Sequence, residues 1–136
     1  ALLETDPVGT FIGSSYMYAT ARDWARFGML YLRDGVWNGT RILPPGWIDY
    51  TRTPAPADKA RRYGAHFWLE IPGEYAGAVP RLSVPAFHAA GHEAQFLTIV
   101  PSRDVVIVRL GRTRHPHAWD HAAFVRDILA VLDRAM

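Results

Sequence analysis

The sequence FHAAGHEAQFLTIV, residues 87–100, is the decisive stretch of this 136-residue chain, because it joins a polar turn directly to a long apolar run. Gly91 permits backbone geometry that a side chain forbids, and it lets another group approach the main chain closely. The polar part contains His88, His92, Glu93 and Gln95. One interpretation is a strand entry with solvated histidines, and the other is a turn that exposes backbone N–H groups to a cleft.

A second apolar run, residues 105–110, follows the first across the turn sequence PSRD at 101–104. This spacing predicts an antiparallel hairpin of two central strands, and their continuous apolar character requires cover on both faces. From Trp119 to Leu132, apolar residues recur on one broad helical face, which predicts a closing helix across the sheet. His115, His117 and His121 are expected in a solvated loop and helix start before it.

The first half of the chain carries start and stop signals. Thr20 fits the N-cap of a helix whose apolar residues recur at helical spacing from 24 to 31, and Asp34-Gly35 fits its end. Asn38-Gly39 between two short apolar-containing runs predicts a β-hairpin over residues 36–43.

Shorter segments follow up to the decisive stretch. Residues 47–50 are expected to begin a short helix, residues 54–62 to form a surface loop, residues 63–71 to form an aromatic strand, and residues 73–85 to form a loop bordering a cleft.

Composition excludes several classes of function. A net charge of +2, spread along the chain, does not indicate nucleic acid or a membrane as partner, and no apolar run approaches the length of a membrane span. Without cysteine there is no disulfide, thiolate nucleophile or thiolate metal site. The length favours a single domain over residues 1–136.

Three stretches, residues 13–28, 34–47 and 87–108, resemble in order the C-terminal part of the serine β-lactamase-like and penicillin-binding-protein family. This family includes class C β-lactamases, esterases and 6-aminohexanoate-dimer hydrolases. The resemblance implies an α+β fold: an antiparallel sheet of about three to five strands with helices packed on it, mainly on one face.

The family's nucleophile motif is missing from this sequence. Ser-x-x-Lys places a lysine amine beside the hydroxyl that it helps to deprotonate. The residues three positions after the four serines are Met17, Tyr18, Ala86 and Val105. The only asparagine, Asn38, lies two residues after Val36, so the family's Tyr-x-Asn-like element is missing too. We therefore expect a C-terminal hydrolase portion that supplies the cleft wall and oxyanion-hole strand and is inactive alone; the alternative is a non-catalytic binding or self-assembly module.

The resemblance also assigns site residues. Aligning Ala89-Ala90-Gly91 with the family's Lys-Thr-Gly makes the His92 N–H an oxyanion-hole donor, so Gly91 and His92 are the expected catalytic positions. In a second register, the His92 side chain replaces the lysine.

Substrate-contacting side chains are expected at four positions: Tyr16, Trp68, His88 and Gln95. The expected substrate is a small-molecule amide or ester, and a homo-oligomer would cover exposed strands. No cofactor is expected. No metal is expected either, because zinc would need His88 and His92 on one helical face, whereas their segment leads directly into a strand.

Overall fold

The computed structural model describes residues 1–13, 15–77, 82–115 and 118–135. The fold is α+β, as predicted. Its elements in chain order are β1 (Leu2–Leu3), β2 (Met17–Tyr18), α1 (Ala21–Leu32), β3 (Val36–Trp37), β4 (Thr40–Arg41), α2 (Trp47–Arg52), β5 (Phe87–Gly91), β6 (Gln95–Val100), β7 (Val105–Arg109) and α3 (His121–Ala135). Short 3-10 turns occupy Gly73–Tyr75, His92–Ala94 and Pro101–Arg103.

The main sheet has three antiparallel strands in the order β5-β6-β7. In its register Gly91 pairs with Gln95, and Val100 pairs with Val105. The predicted apolar hairpin is therefore confirmed, but only β6 is a central strand, because β7 lies at the edge of the sheet that the described residues form. The described residues also form two small two-stranded sheets, β1-β2 and β3-β4.

Helices cover both faces of this sheet. On one face α1 packs against the cluster that contains Leu97 and Ile99. On the other face, Val125 and Leu129 of α3 join a cluster with Val100. The expectation of helices mainly on one face is therefore wrong, whereas cover on both faces is confirmed. The physical reason is that β6 buries successive side chains on opposite faces, so each face needs an apolar partner.

The local signals of the first half are confirmed. The Thr20 side chain accepts a hydrogen bond from the N–H of Asp23 at the start of α1. Asn38 and Gly39 both have positive φ, 48° and 79°, as the tight turn between β3 and β4 requires. Within α1, a Cβ built on Gly28 would lie 2.6 Å from Val106 Cγ1, so glycine lets the helix lie close to the sheet.

The aromatic segment 63–71 is not a strand, contrary to the prediction. It forms isolated bridges, Tyr63 with Trp68 and Trp68 with His88. The N–H of Gly64 donates to the carbonyl of Phe67, and His66 has a φ of 66°, so a tight turn interrupts the extended backbone.

Another correction concerns the histidines before α3. His115 is exposed, but His121 is fully buried and stacks on Phe96 with ring centroids 3.8 Å apart. The third, His117, lies outside the described residues, as do residues 78–81 of the expected loop. No helix in the described ranges is long and apolar enough to cross a bilayer.

Candidate functional site

The site begins at the outer edge of β5, the edge that does not pair with β6. Trp68 and His88 exchange two backbone hydrogen bonds across this edge, each 2.8 Å long. Because the main-chain groups of an antiparallel strand point alternately to its two sides, those of Ala90 point the same way as those of His88. The carbonyl of Gly91 faces its partner Gln95, so the trans peptide directs the N–H of His92 outward.

The end of β5 that carries these two N–H groups is partly or fully exposed. Neither the Ala90 nor the His92 N–H donates to a loop or turn carbonyl in the described part of the chain. Gly91 and His92 are exposed, and 91% of the His92 side chain is accessible. At its end, β5 thus pairs with β6 through Gly91, whereas the next amide, the His92 N–H, points away from β6.

A strained turn follows directly and is held by β7 and the segment after it. Glu93 and Ala94 both have positive φ, 56° and 65°, which residues with side chains seldom adopt. Arg109 Nη1 donates to the carbonyl of Ala94 at 2.6 Å, and the N–H of Thr113 donates to the carbonyl of Glu93 at 3.0 Å. Gln95 Nε2 donates to the carbonyl of His92 at 3.2 Å, so this side chain is tied to the turn rather than free at the surface.

Charge also surrounds the turn. Arg112 Nε donates to Glu93 Oε2 at 3.0 Å, and this hydrogen bond lowers the pKa of the Glu93 carboxyl. Since Arg112 is largely exposed, the ion pair is screened by solvent and contributes little to stability.

His88 belongs to a buried hydrogen-bonded chain behind the strand. Its side chain is only 1% exposed, and its Nδ1 lies 2.9 Å from the hydroxyl of Thr98, which lies 2.8 Å from His121 Nε2. Trp119 Nε1 lies 3.3 Å from His121 Nδ1. An indole N–H can only donate, so we assign the His121 proton to Nε2, where it donates to Thr98. The Thr98 hydroxyl then donates to His88 Nδ1.

Both buried histidines are held neutral. Burial is the main cause that lowers the pKa of His88 to about 3, and the neighbouring His121 is the second cause. Burial is also the main cause that lowers the pKa of His121 to about 4, and the positive charge of Arg109 is the second. Of the two histidines in the decisive stretch, only His92 is solvated.

The other two expected substrate contacts lie in different places. Trp68 is half-buried beside β5, where it packs edge-on against Tyr63 with ring centroids 5.0 Å apart. Tyr16 is exposed just before β2, in a left-handed conformation with φ of 63°. No contact in the described structure brings it to the β5 edge.

The concavities beside β5 lie toward its first residues rather than toward Gly91. An open cavity of about 630 Å³ is lined by Phe87 and His88 together with residues 69–71 and 82–86, Arg52, Pro101 and Ser102. A smaller one, about 140 Å³, is lined by Arg62, Trp68 and residues 70–74. Ala90, Gly91 and His92 line neither of these two cavities among the described residues. Nor do those residues contain a group of three or more His, Asp or Glu side chains that could hold a metal ion.

Sequence reasoning missed three residues of this region: Thr98, Arg109 and His121. Thr98 is a polar residue inside an apolar run, and Arg109 is the first charge after one. Each of these two residues differs in polarity from its neighbours in the sequence, and this difference is the signal that could have identified it. The histidines that bond Thr98 lie 10 and 23 residues away in the chain, and the turn carbonyls that bond Arg109 lie 15 and 16 residues away, so no local pattern identifies these contacts.

The fold matches the C-terminal portion of a β-lactamase-like fold. Among solved structures, the chain is similar to one described as "Putative 6-aminohexanoate-dimer hydrolase from Bacillus anthracis". The TM-score is 0.72 with 26% sequence identity over 97% of this chain, but the chain spans only 34% of that protein. No family model and no curated protein matches the sequence.

Proposed function

We propose that this chain is the C-terminal portion of a β-lactamase-like serine hydrolase that cleaves an amide or ester through an acyl-enzyme. It supplies one wall of the cleft and the oxyanion-hole strand, and it is inactive alone. The observation that carries the proposal is the outward-facing N–H of His92, at the open end of β5 in a fold shared with part of a hydrolase.

The chemistry follows from where charge develops. When a serine hydroxyl attacks the substrate carbonyl, the carbonyl oxygen becomes negative, and preorganised N–H donors stabilise it. The His92 N–H is one such donor, and the nucleophile's own N–H is the other. One donor of this kind is worth roughly 3 kcal/mol in barrier height. Gly91 leaves the approach to this amide free of a side chain.

The remaining groups have supporting roles. Gln95 holds the turn through the carbonyl of His92. Trp68 walls the β5 edge beside the substrate, and His88 fixes that wall through its paired backbone. Tyr16 reaches the substrate from the β1-β2 side once the rest of the hydrolase is present. The serine and lysine come from another portion, since no serine of this sequence has a lysine three residues later.

The first test concerns the isolated chain. It should release no burst of product from an activated ester such as p-nitrophenyl acetate, because it lacks the nucleophile. Stoichiometric turnover that survives repurification would contradict the proposal. The DNA upstream of codon 1 should encode a Ser-x-x-Lys portion in frame, and the resulting polypeptide is called the full-length hydrolase below. An in-frame stop codon immediately upstream would contradict this.

The second test separates the backbone from the side chain. In the full-length hydrolase, His92→Pro removes the N–H, and His92→Ala keeps it. The donor role predicts a loss in kcat of roughly 100-fold to 1,000-fold for His92→Pro and a change below about threefold for His92→Ala. Equal losses in both variants would favour the second register, in which the imidazole replaces the lysine of the family triplet.

One observation favours a second candidate, a non-catalytic module that binds a partner or a second copy. The segment from β1 to β2 exposes many apolar side chains: Leu2, Leu3, Val8, Phe11, Ile12, Tyr16 and Tyr18 are each at least 40% accessible. Exposed apolar clusters of this kind are typical of interaction surfaces. If the module is a self-assembly unit, the chain should be oligomeric by light scattering, and a monomer at high concentration would contradict it.

A further inference from the structure

We infer that Arg109 is a positioning residue for the oxyanion-hole amide. Its guanidinium holds the turn His92–Ala94 in the one conformation that directs the His92 N–H outward. The inference rests on the proposed function, because it gives this turn a role in the reaction. Nothing in the sequence marks the residue except its place at the end of an apolar strand.

The contacts of Arg109 converge on the turn. Nη1 donates to the carbonyls of Ala94 at 2.6 Å and Glu93 at 3.3 Å, while Nη2 donates to the hydroxyl of Thr113 at 2.7 Å. The guanidinium carbon lies 4.3 Å from the ring centroid of Trp119. One planar group therefore links two turn carbonyls, the next segment of chain and an aromatic face.

The turn needs this support. Glu93 and Ala94 are consecutive non-glycine residues with positive φ, and such conformations persist only where surrounding structure fixes them. Their carbonyls must point in a set direction for Arg109 and for the N–H of Thr113. If the turn relaxes, the peptide plane between Gly91 and His92 rotates with it, since it immediately precedes the turn.

Arginine is suited to this task in a way that lysine is not. Its five N–H donors lie in a fixed plane, so two nitrogens can reach acceptors on different segments while the face stacks on Trp119. A lysine ammonium keeps the charge but not this fork. Arg112, by contrast, bonds the Glu93 carboxylate and, within the described residues, donates no hydrogen bond to the turn carbonyls.

The first measurement uses the chain by itself and does not depend on catalysis. Amide hydrogen exchange is followed by NMR in the unaltered chain, Arg109→Met and a control, Arg22→Met, whose side chain makes no hydrogen bond within the described residues. Exchange of the Thr113 N–H, which bonds the Glu93 carbonyl, should rise about tenfold or more in Arg109→Met. Exchange at Thr98 and Ile107, in the β6–β7 ladder, should stay within about threefold.

The second measurement is kinetic. In the full-length hydrolase, Arg109→Met should lower kcat by about 10-fold to 100-fold, because a displacement near 1 Å misplaces the donor, and KM should change less than about threefold. A purely structural role would instead reduce the amount of folded enzyme and leave kcat per active site unchanged. If the Thr98 amide of Arg109→Met loses its protection from hydrogen exchange, the sheet itself is disturbed. Both measurements are then made with Arg109→Lys instead.

The outcomes are distinguishable. Faster exchange at Thr113 together with a lower kcat supports the inference. Unchanged exchange in a folded variant overturns it, whatever the kinetics. Faster exchange with unchanged kcat shows that Arg109 fixes a turn that the reaction does not use, which overturns both the inference and the oxyanion-hole role of His92.

Discussion

The stability of this chain should fall steeply as the pH decreases below 6.5, because two buried histidines are neutral in the folded state. The pKa of His88 is lowered to about 3 and that of His121 to about 4, from an ordinary value of 6.5. In the unfolded chain both regain the ordinary value. Between these limits the unfolded state binds more protons, so the free energy of unfolding decreases as the pH falls.

The size of this decrease in the free energy of unfolding depends only on both histidines having pKa values well below 5.5 in the folded state. From pH 7.5 to pH 5.5, each histidine then lowers the free energy of unfolding by roughly 1 kcal/mol, and the pair lowers it by roughly 2–3 kcal/mol. Three carboxyl groups also have lowered pKa values, Asp23, Asp58 and Glu93, but their ordinary values of 3.8 to 4.5 place their effect below this window.

The assay is urea unfolding followed by circular dichroism at half-unit pH intervals, with linear extrapolation to water. The His88→Asn variant removes one of the two groups, so its loss over the window should be about half as large, on the order of 1 kcal/mol. The matched control is His92→Asn, which makes the same substitution at an exposed position. Stability that does not vary from pH 7.5 to 5.5, or an unchanged slope in His88→Asn, would refute the reasoning.

Two further variants test packing and backbone geometry by the same unfolding assay. Thr98→Val removes the hydroxyl that bonds both buried histidines and should lower the free energy of unfolding by about 2–4 kcal/mol. The control Thr40→Val, at an exposed position, should change it by less than about 0.5 kcal/mol. Equal effects would show that the hydroxyl bonds contribute nothing to stability. Gly35→Ala should cost more than Gly9→Ala by about 1–3 kcal/mol, because both glycines have positive φ but only at Gly35 would a Cβ meet Leu43 Cβ at 2.6 Å; equal losses would mean that conformation alone sets the cost.

Local chemistry determined much of the fold before any coordinates. The Thr20 cap, the Asn38-Gly39 turn and the apolar pair of strands each depend on interactions within a few residues, and the structure has all three. The failure at residues 63–71 has a local cause as well: aromatic residues indicate strand, but a turn at Gly64 and His66 interrupts it. Aromatic content cannot distinguish a strand from two bridges.

The sequence alone singled out Gly91 and His92 as candidate site residues and contains no serine followed three residues later by lysine. The tertiary structure was needed to show that His88 faces the core while His92 faces solvent. It was also needed to show that Arg109 holds the turn His92–Ala94, which joins β5 to β6. The surroundings of a side chain depend on which face of β5 it occupies and on contacts with residues distant in sequence, such as His88 with Thr98 and Arg109 with Ala94. Such partners are brought together by the sheet register and by α3, and short-range spacing contains no information about them.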